Sequence, residues 1–107
     1  MDQETAIAVT RRFAQRAAKT YPDSRILLFG SRASGHARDY SDIDVAVVVD
    51  SLETEDKLPL EVDLVGLAWE VDVHLEPHLM ERKRDPLGFV EHVEKIGIEF
   101  YPEDCTG

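Results

Sequence analysis

The stretch that decides the fold runs Arg25-Ile26-Leu27-Leu28-Phe29-Gly30-Ser31-Arg32-Ala33-Ser34-Gly35 and resumes, five residues later, as Ser41-Asp42-Ile43-Asp44-Val45-Ala46-Val47-Val48-Val49. The first apolar run predicts a short strand over 25–29 that stops at Gly30. Glycine there lets the backbone turn sharply and lets a ligand approach closely. If Ser31 opens a helical turn, the N–H groups of Ser31, Arg32 and Ala33 lack intrahelical partners and suit a phosphate. The Ser31 hydroxyl would add a donor and Arg32 a positive charge. Ordinary strand–turn–helix chemistry uses the same residue types, so this half alone does not decide between a site and a turn.

The second half carries more. Residues 43–49 are apolar at both parities, apart from Asp44, which predicts a central strand covered on both faces. Period-two alternation puts Asp42 and Asp44 on one face, about 6–7 Å apart along the chain. Two hard oxygen ligands at that spacing can bridge divalent ions roughly 3.5–4 Å apart. Mg²⁺ fits, because it takes one or two carboxylates with phosphate oxygens and water. Ser41-Asp42 also suits a solvated turn. Asp44, however, runs straight into five apolar residues, where an unpaired carboxylate is costly and a cation or basic partner is needed.

Working outward, residues 2–19 predict a helix, with Ala6, Val9, Phe13 and Ala17 at helical spacing and a stop at Tyr21-Pro22-Asp23. Residues 50–57 read as an acidic connection and 58–69 as a helix. The alternation over 71–76 predicts a strand with Asp72, His74 and Glu76 on its polar face, closed by Pro77. Asp85-Pro86 opens a last helix, and 98–101 a short edge strand. Strands interleaved with helices give an α/β fold, a small mixed sheet with flanking helices.

Gly30-Ser31, ten residues, then Asp42-Ile43-Asp44 resembles the signature of the DNA polymerase beta superfamily of nucleotidyltransferases. The pattern is most similar to the minimal nucleotidyltransferases that serve as antitoxins beside HEPN-domain toxins, and Arg32, Gly35 and Ser41 match residues common in that group. The motif covers residues 30–44, and the order of elements resembles the family over most of the chain. The resemblance implies a nucleotidyltransferase fold and an enzyme that moves a nucleoside monophosphate, AMP from ATP above all, to a hydroxyl with Mg²⁺. It implies that Gly30, Ser31 and Arg32 bind the triphosphate and that Asp42 and Asp44 bind metal. A third carboxylate on a neighbouring strand completes the family's site; Asp72 is the candidate, with Glu76 the alternative. The implied partner is a HEPN-type RNase toxin, modified on a tyrosine. A non-catalytic module of the same fold that neutralises by contact, and a transferase acting on a small molecule, are the competing readings.

Composition bounds the rest. The chain has 107 residues, expected to form a single domain over 1–107. Its 22 acidic against 12 basic residues give a net charge of −10, which disfavours direct nucleic-acid binding. One cysteine, Cys105, excludes an intrachain disulfide. No apolar stretch reaches membrane-spanning length and residues 1–4 do not read as a signal peptide, so a cytoplasmic protein without membrane contact is expected. His36 and Arg38 read as loop residues within reach of a phosphate or simply solvated. His74 and His78 read as surface histidines, Tyr21 and Trp69 as core or rim packing, and the basic cluster at 82–84 as a solvated loop or a contact for an acidic partner or phosphate.

Overall fold

The computed structural model describes residues 1–38 and 41–105. Tyr40 of the motif segment and the last two residues of the expected domain lie outside that description. Eight elements follow in order: α1 (Gln3–Thr20), β1 (Arg25–Phe29), α2 (Ser31–Ser34), β2 (Ile43–Val49), α3 (Thr54–Val71), β3 (Leu75–Glu81), α4 (Phe89–Ile96) and β4 (Ile98–Tyr101). The sheet order is β3-β2-β1-β4. β1 pairs antiparallel with β2 and β4, and β2 pairs parallel with β3 through the α3 crossover. The sheet is therefore mixed, and β2 is interior, as the apolar run after Asp44 leads one to expect.

Parity along the two inner strands divides the core. Ile26, Leu28, Ile43, Val45 and Val47 pack with α1 (Ala6, Val9, Phe13, Ala17) and α3 (Leu64, Ala68). Leu27, Ala46 and Val48 face the other way, against Val90 and Val93 of α4 and Met80 of β3. Successive residues of a strand point to opposite faces, so one seven-residue strand feeds both layers.

Helix α1 starts on Asp2, whose side chain accepts from the Thr5 N–H at 2.8 Å. It ends at Tyr21, whose N–H donates to the Ala17 carbonyl. Helix α3 is longer than expected at both ends, taking in part of the acidic connection before it and Val71 after it. This corrects the strand expected over 71–76. Asp72 is the C-cap of α3, its N–H bonded to the Ala68 carbonyl, and the chain then turns. The His74 N–H donates to Asp72 Oδ1 at 2.8 Å and the Leu75 N–H to the Asp72 carbonyl at 3.2 Å. The strand begins only at Leu75 and passes through Pro77 rather than ending there. Proline is tolerated because β3 is an edge strand, where one row of N–H groups has no ladder partner.

The last helix also starts later than expected. Residues 85–88 form a turn closed by the Gly88 N–H on the Asp85 carbonyl at 3.1 Å, and Gly88 adopts φ +70°. The Asp85 carboxylate then accepts from the N–H groups of Val90 and Glu91 at 3.0 and 3.1 Å, capping α4 from outside.

Candidate functional site

β1 delivers Phe29 and Gly30 to the same end of the sheet at which β2 begins, because the antiparallel register sets Phe29 opposite Asp44. Gly30 takes φ +71° and ψ −153°, a region that L side chains scarcely enter. A Cβ there would lie 2.6 Å from Asp44 Oδ2. The turn backbone thus lies directly against the Asp44 carboxylate, with no room for a side chain between them.

The four residues after Gly30 form the single turn α2. Ala33 and Ser34 donate their N–H groups to the Gly30 carbonyl at 3.2 and 3.1 Å. The expected trio of outward donors therefore loses Ala33 to the turn's own closure. Arg32 lies differently from its expected place beside a phosphate. It is 2% exposed, and its guanidinium donates to the carbonyls of Met1 at 3.2 Å and Ser41 at 3.1 Å. Through its two Nη groups, with Nε left unpaired, this buried guanidinium ties the N-terminus and the motif loop together. It does not reach an outside anion in this conformation. The loop's other end is closed by Ser41, whose hydroxyl accepts the Arg38 N–H at 2.9 Å. His36 is exposed and bonded locally, Nδ1 to Ser34 Oγ at 3.1 Å.

The parallel pairing of β2 with β3 completes the site. Asp44 stands opposite Glu76 and Ala46 opposite His78. Partners in a parallel ladder point to the same face, so Asp44, Glu76 and His78 converge. His78 Nε2 lies 3.1 Å from Asp44 Oδ1 and 4.0 Å from Glu76 Oε1. One ligand atom from each of the three fits within a 4.8 Å span, a separation at which one cation could be held. The imidazole stands edge-on to Phe29, ring centroids 5.2 Å apart, and Phe29 in turn meets Phe89 of α4 at 6.2 Å. Those rings fix the orientation of His78.

Of the two aspartates, Asp44 belongs to this group. Asp42 is exposed, two residues upstream at the mouth of β2, and outside the group of three. Asp72 is not brought to it. The Asp72 carboxylate is occupied in its own turn, 2.7 Å from His74 Nδ1. Burial pushes that carboxyl upward, but the bonds from the His74 backbone and ring outweigh it and hold it below the ordinary carboxylate range. Glu76, the alternative, stands beside Asp44 across the β2–β3 ladder. His78, expected to be a surface histidine, is the residue the sequence reasoning missed. Its signal was present as a two-residue spacing from Glu76, legible once the strand is placed over 75–81.

An α/β domain with a mixed four-stranded sheet, a glycine turn at the end of β1 and an acidic group across β2 and β3 has the architecture of a nucleotidyltransferase. The sequence matches the nucleotidyltransferase domain family over residues 10–100, and the chain belongs to that family. Among solved structures it is similar to a candidate nucleotidyltransferase from Sulfolobus solfataricus. The TM-score is 0.63 at 19% identity, covering 91% of this chain and 80% of that one, a likeness of fold. No curated protein matches the chain at a significant level. Among the described residues, no helix is long and apolar enough to cross a membrane.

Proposed function

We propose that this chain transfers a nucleoside monophosphate, AMP from ATP, to a hydroxyl on a partner protein, and that it acts in the cytoplasm as antitoxin to a HEPN-type RNase toxin. The observation that carries the reading is the convergence of the Gly30 turn and Glu76 on Asp44. Two carboxylates and an imidazole within 4.8 Å form a donor set that fits a divalent cation, and the close approach of Gly30 keeps the neighbouring backbone open to phosphate. Asp42, Asp44 and Glu76 would hold Mg²⁺, with His78 as a further ligand or an orienting partner of Asp44. Bound there, the metal would neutralise the charge of the triphosphate and of the departing pyrophosphate.

The chain's own groups supply positioning, which is most of what phosphoryl-type transfer needs. The N–H groups of Ser31 and Arg32 and the Ser31 hydroxyl hold the triphosphate against the turn. Arg32 acts from behind, by bracing the loop between Gly30 and Asp42. The acceptor hydroxyl attacks the α-phosphorus, the bond to the β-phosphate oxygen breaks, and pyrophosphate leaves. A carboxylate of the group, Glu76 by its exposure, orients the hydroxyl and accepts its proton.

The test combines the chain, Mg²⁺, ATP labelled on the α-phosphate and the HEPN partner, read by intact mass. A nucleotide-sized gain on the partner that disappears in Asp42→Asn/Asp44→Asn supports the reading. Full neutralisation of the toxin by that double mutant, with no mass gain, contradicts it and leaves stoichiometric contact as the function.

A further inference from the structure

Helix α3 has two apolar faces and uses one. Leu64 and Ala68 are buried, and Leu60, Leu67 and Val71 pack partly buried against the same core. A second set, Leu58, Val62, Val65 and Trp69, follows at spacings of four, three and four residues. At 3.6 residues per turn these four fall on one stripe about 140° around the helix from the buried face. Leu58, Val62 and Trp69 are 68%, 64% and 60% exposed, so the stripe faces water along the length of the helix. Scattered apolar residues on a surface need no explanation, but a continuous stripe with the seam spacing of paired helices does.

The flanks of the stripe say what covers it. By the same helical geometry, Glu55 lies on one side of the stripe and Glu61 on the other, while Asp63 and Glu70 turn towards α1, where they meet Tyr21 and Arg16. Lys57 is the one basic residue of the helix. A second copy of this helix would set carboxylates against carboxylates across the seam, in a protein of net charge −10. A helix with an apolar seam and Lys or Arg on both sides meets apolar with apolar and acid with base. The intrinsic weakness of α3 points the same way. It contains Pro59, which removes a backbone donor and crowds the preceding turn, and Gly66, a poor helix former. Its stability therefore comes from packing, and among the described residues Leu58, Val62 and Trp69 of its second apolar face stay largely exposed.

We infer that the Leu58–Trp69 stripe of α3 is a docking surface for a basic amphipathic helix of another protein. Beside the stripe, between α3 and the open edge of β3, lies a cavity of about 260 Å³ lined by Glu61, Leu64, Val65, Pro77, His78 and Leu79. Val65 belongs to the stripe and His78 to the site around Asp44. The His78 side chain shares the α4 face of the sheet with Asp44, opposite the face that α3 covers, so a helix seated on α3 borders this cavity and not the Asp44 site. The surface stands on exposure, spacing and charge and does not depend on nucleotide chemistry, so its test is separate from that of the transfer reaction.

Trp69 is the only tryptophan of the chain and reports on the stripe directly. The probes are two helix-forming peptides without tryptophan, about five turns long, with leucine at seam spacing and either lysine or glutamate at the flanks. The lysine peptide is expected to shift Trp69 emission to shorter wavelength and to protect it from acrylamide. Binding should weaken as salt rises from about 0.05 to about 0.5 M, and the glutamate peptide should have no effect. Val62→Asp, at a side chain exposed enough to leave the fold intact by circular dichroism, should weaken binding about tenfold or more. Equal response to both peptides would overturn the proposal, as would no response to either. A blue shift that grows with protein concentration alone, accompanied by dimer formation in sedimentation, would assign the stripe to a second copy and overturn it too. A shift on phosphatidylcholine vesicles with none on the lysine peptide would assign it to a lipid surface.

Discussion

Gly30 is the residue on which the site is most sensitive to one methyl group. Its backbone sits in a region essentially reserved for glycine, and its missing side chain leaves the space that Asp44 Oδ2 occupies. Gly30→Ala must therefore either distort the turn or displace the carboxylate. We expect a loss of about 1–3 kcal/mol in urea denaturation together with loss of metal–nucleotide binding. A variant of unchanged stability and unchanged binding would show that the turn is free to rearrange. Gly66 is the opposite case. It lies inside α3, and a Cβ at that position meets no atom within 4 Å. Gly66→Ala is expected to raise stability by about 0.5–1 kcal/mol, read as an increase in Tm, because glycine loses more backbone freedom on entering a helix than alanine does.

At the scale of elements, α4 is held to the sheet by charge as well as by Val90 and Val93. Glu94 lies 2.6 Å from Arg25 Nη1 of β1 and 3.2 Å from Arg82 Nη2, and Arg25 also bonds Glu99 of β4. The Arg82 guanidinium beside Glu94, against the cost of burial and with help from Arg25, holds its carboxyl below the ordinary value of 4.5. The folded pKa is the lower one, so the stabilisation is fully present above 4.5 and is lost as pH falls from there through the folded value. The stability difference between the wild type and Glu94→Gln should shrink as denaturation is carried from about pH 7 to about pH 3; a gap independent of pH would exclude this linkage. β1 and β2 were legible because the short run of β2, rich in β-branched residues and apolar at both parities, fits a strand covered on both faces, and Gly30 marks the turn after β1 without help from tertiary contacts. β3 was not legible in the same way. The alternation over 71–76 fits a strand, but Val71 completes the core face of α3 and Asp72 spends its carboxylate on a local turn. Pro77 looked like a terminator, and only the edge position of β3 makes it harmless. The shift moved the carboxylate beside Asp44 from the candidate Asp72 to its alternative Glu76 and concealed His78. Trp69 was misplaced for a related reason: nothing in a single sequence tells which of two apolar helix faces the fold covers.

Across the whole molecule, the charge balance governs what can approach. Much of the basic charge is already engaged: Arg16 with Glu70, Arg25 with Glu94 and Glu99, Arg82 with Asp50 and Glu94, and Arg84 with Glu81. Arg82 and Arg84 thus carry ion pairs within the fold. A nucleoside triphosphate arriving at Asp42, Asp44 and Glu76 would meet like charge unless a divalent cation came with it. Binding should therefore be strictly metal-dependent, and the two strands that build the site should set which carboxylates matter. Isothermal titration of a non-hydrolysable ATP analogue, with and without Mg²⁺, into the wild type and into Asp44→Asn, Glu76→Gln and Asp72→Asn tests this directly. Binding is expected only with Mg²⁺, abolished in Asp44→Asn, weakened about tenfold or more in Glu76→Gln, and unchanged in Asp72→Asn. Metal-independent binding, or loss of binding in Asp72→Asn with Glu76→Gln behaving as the wild type, would contradict that expectation.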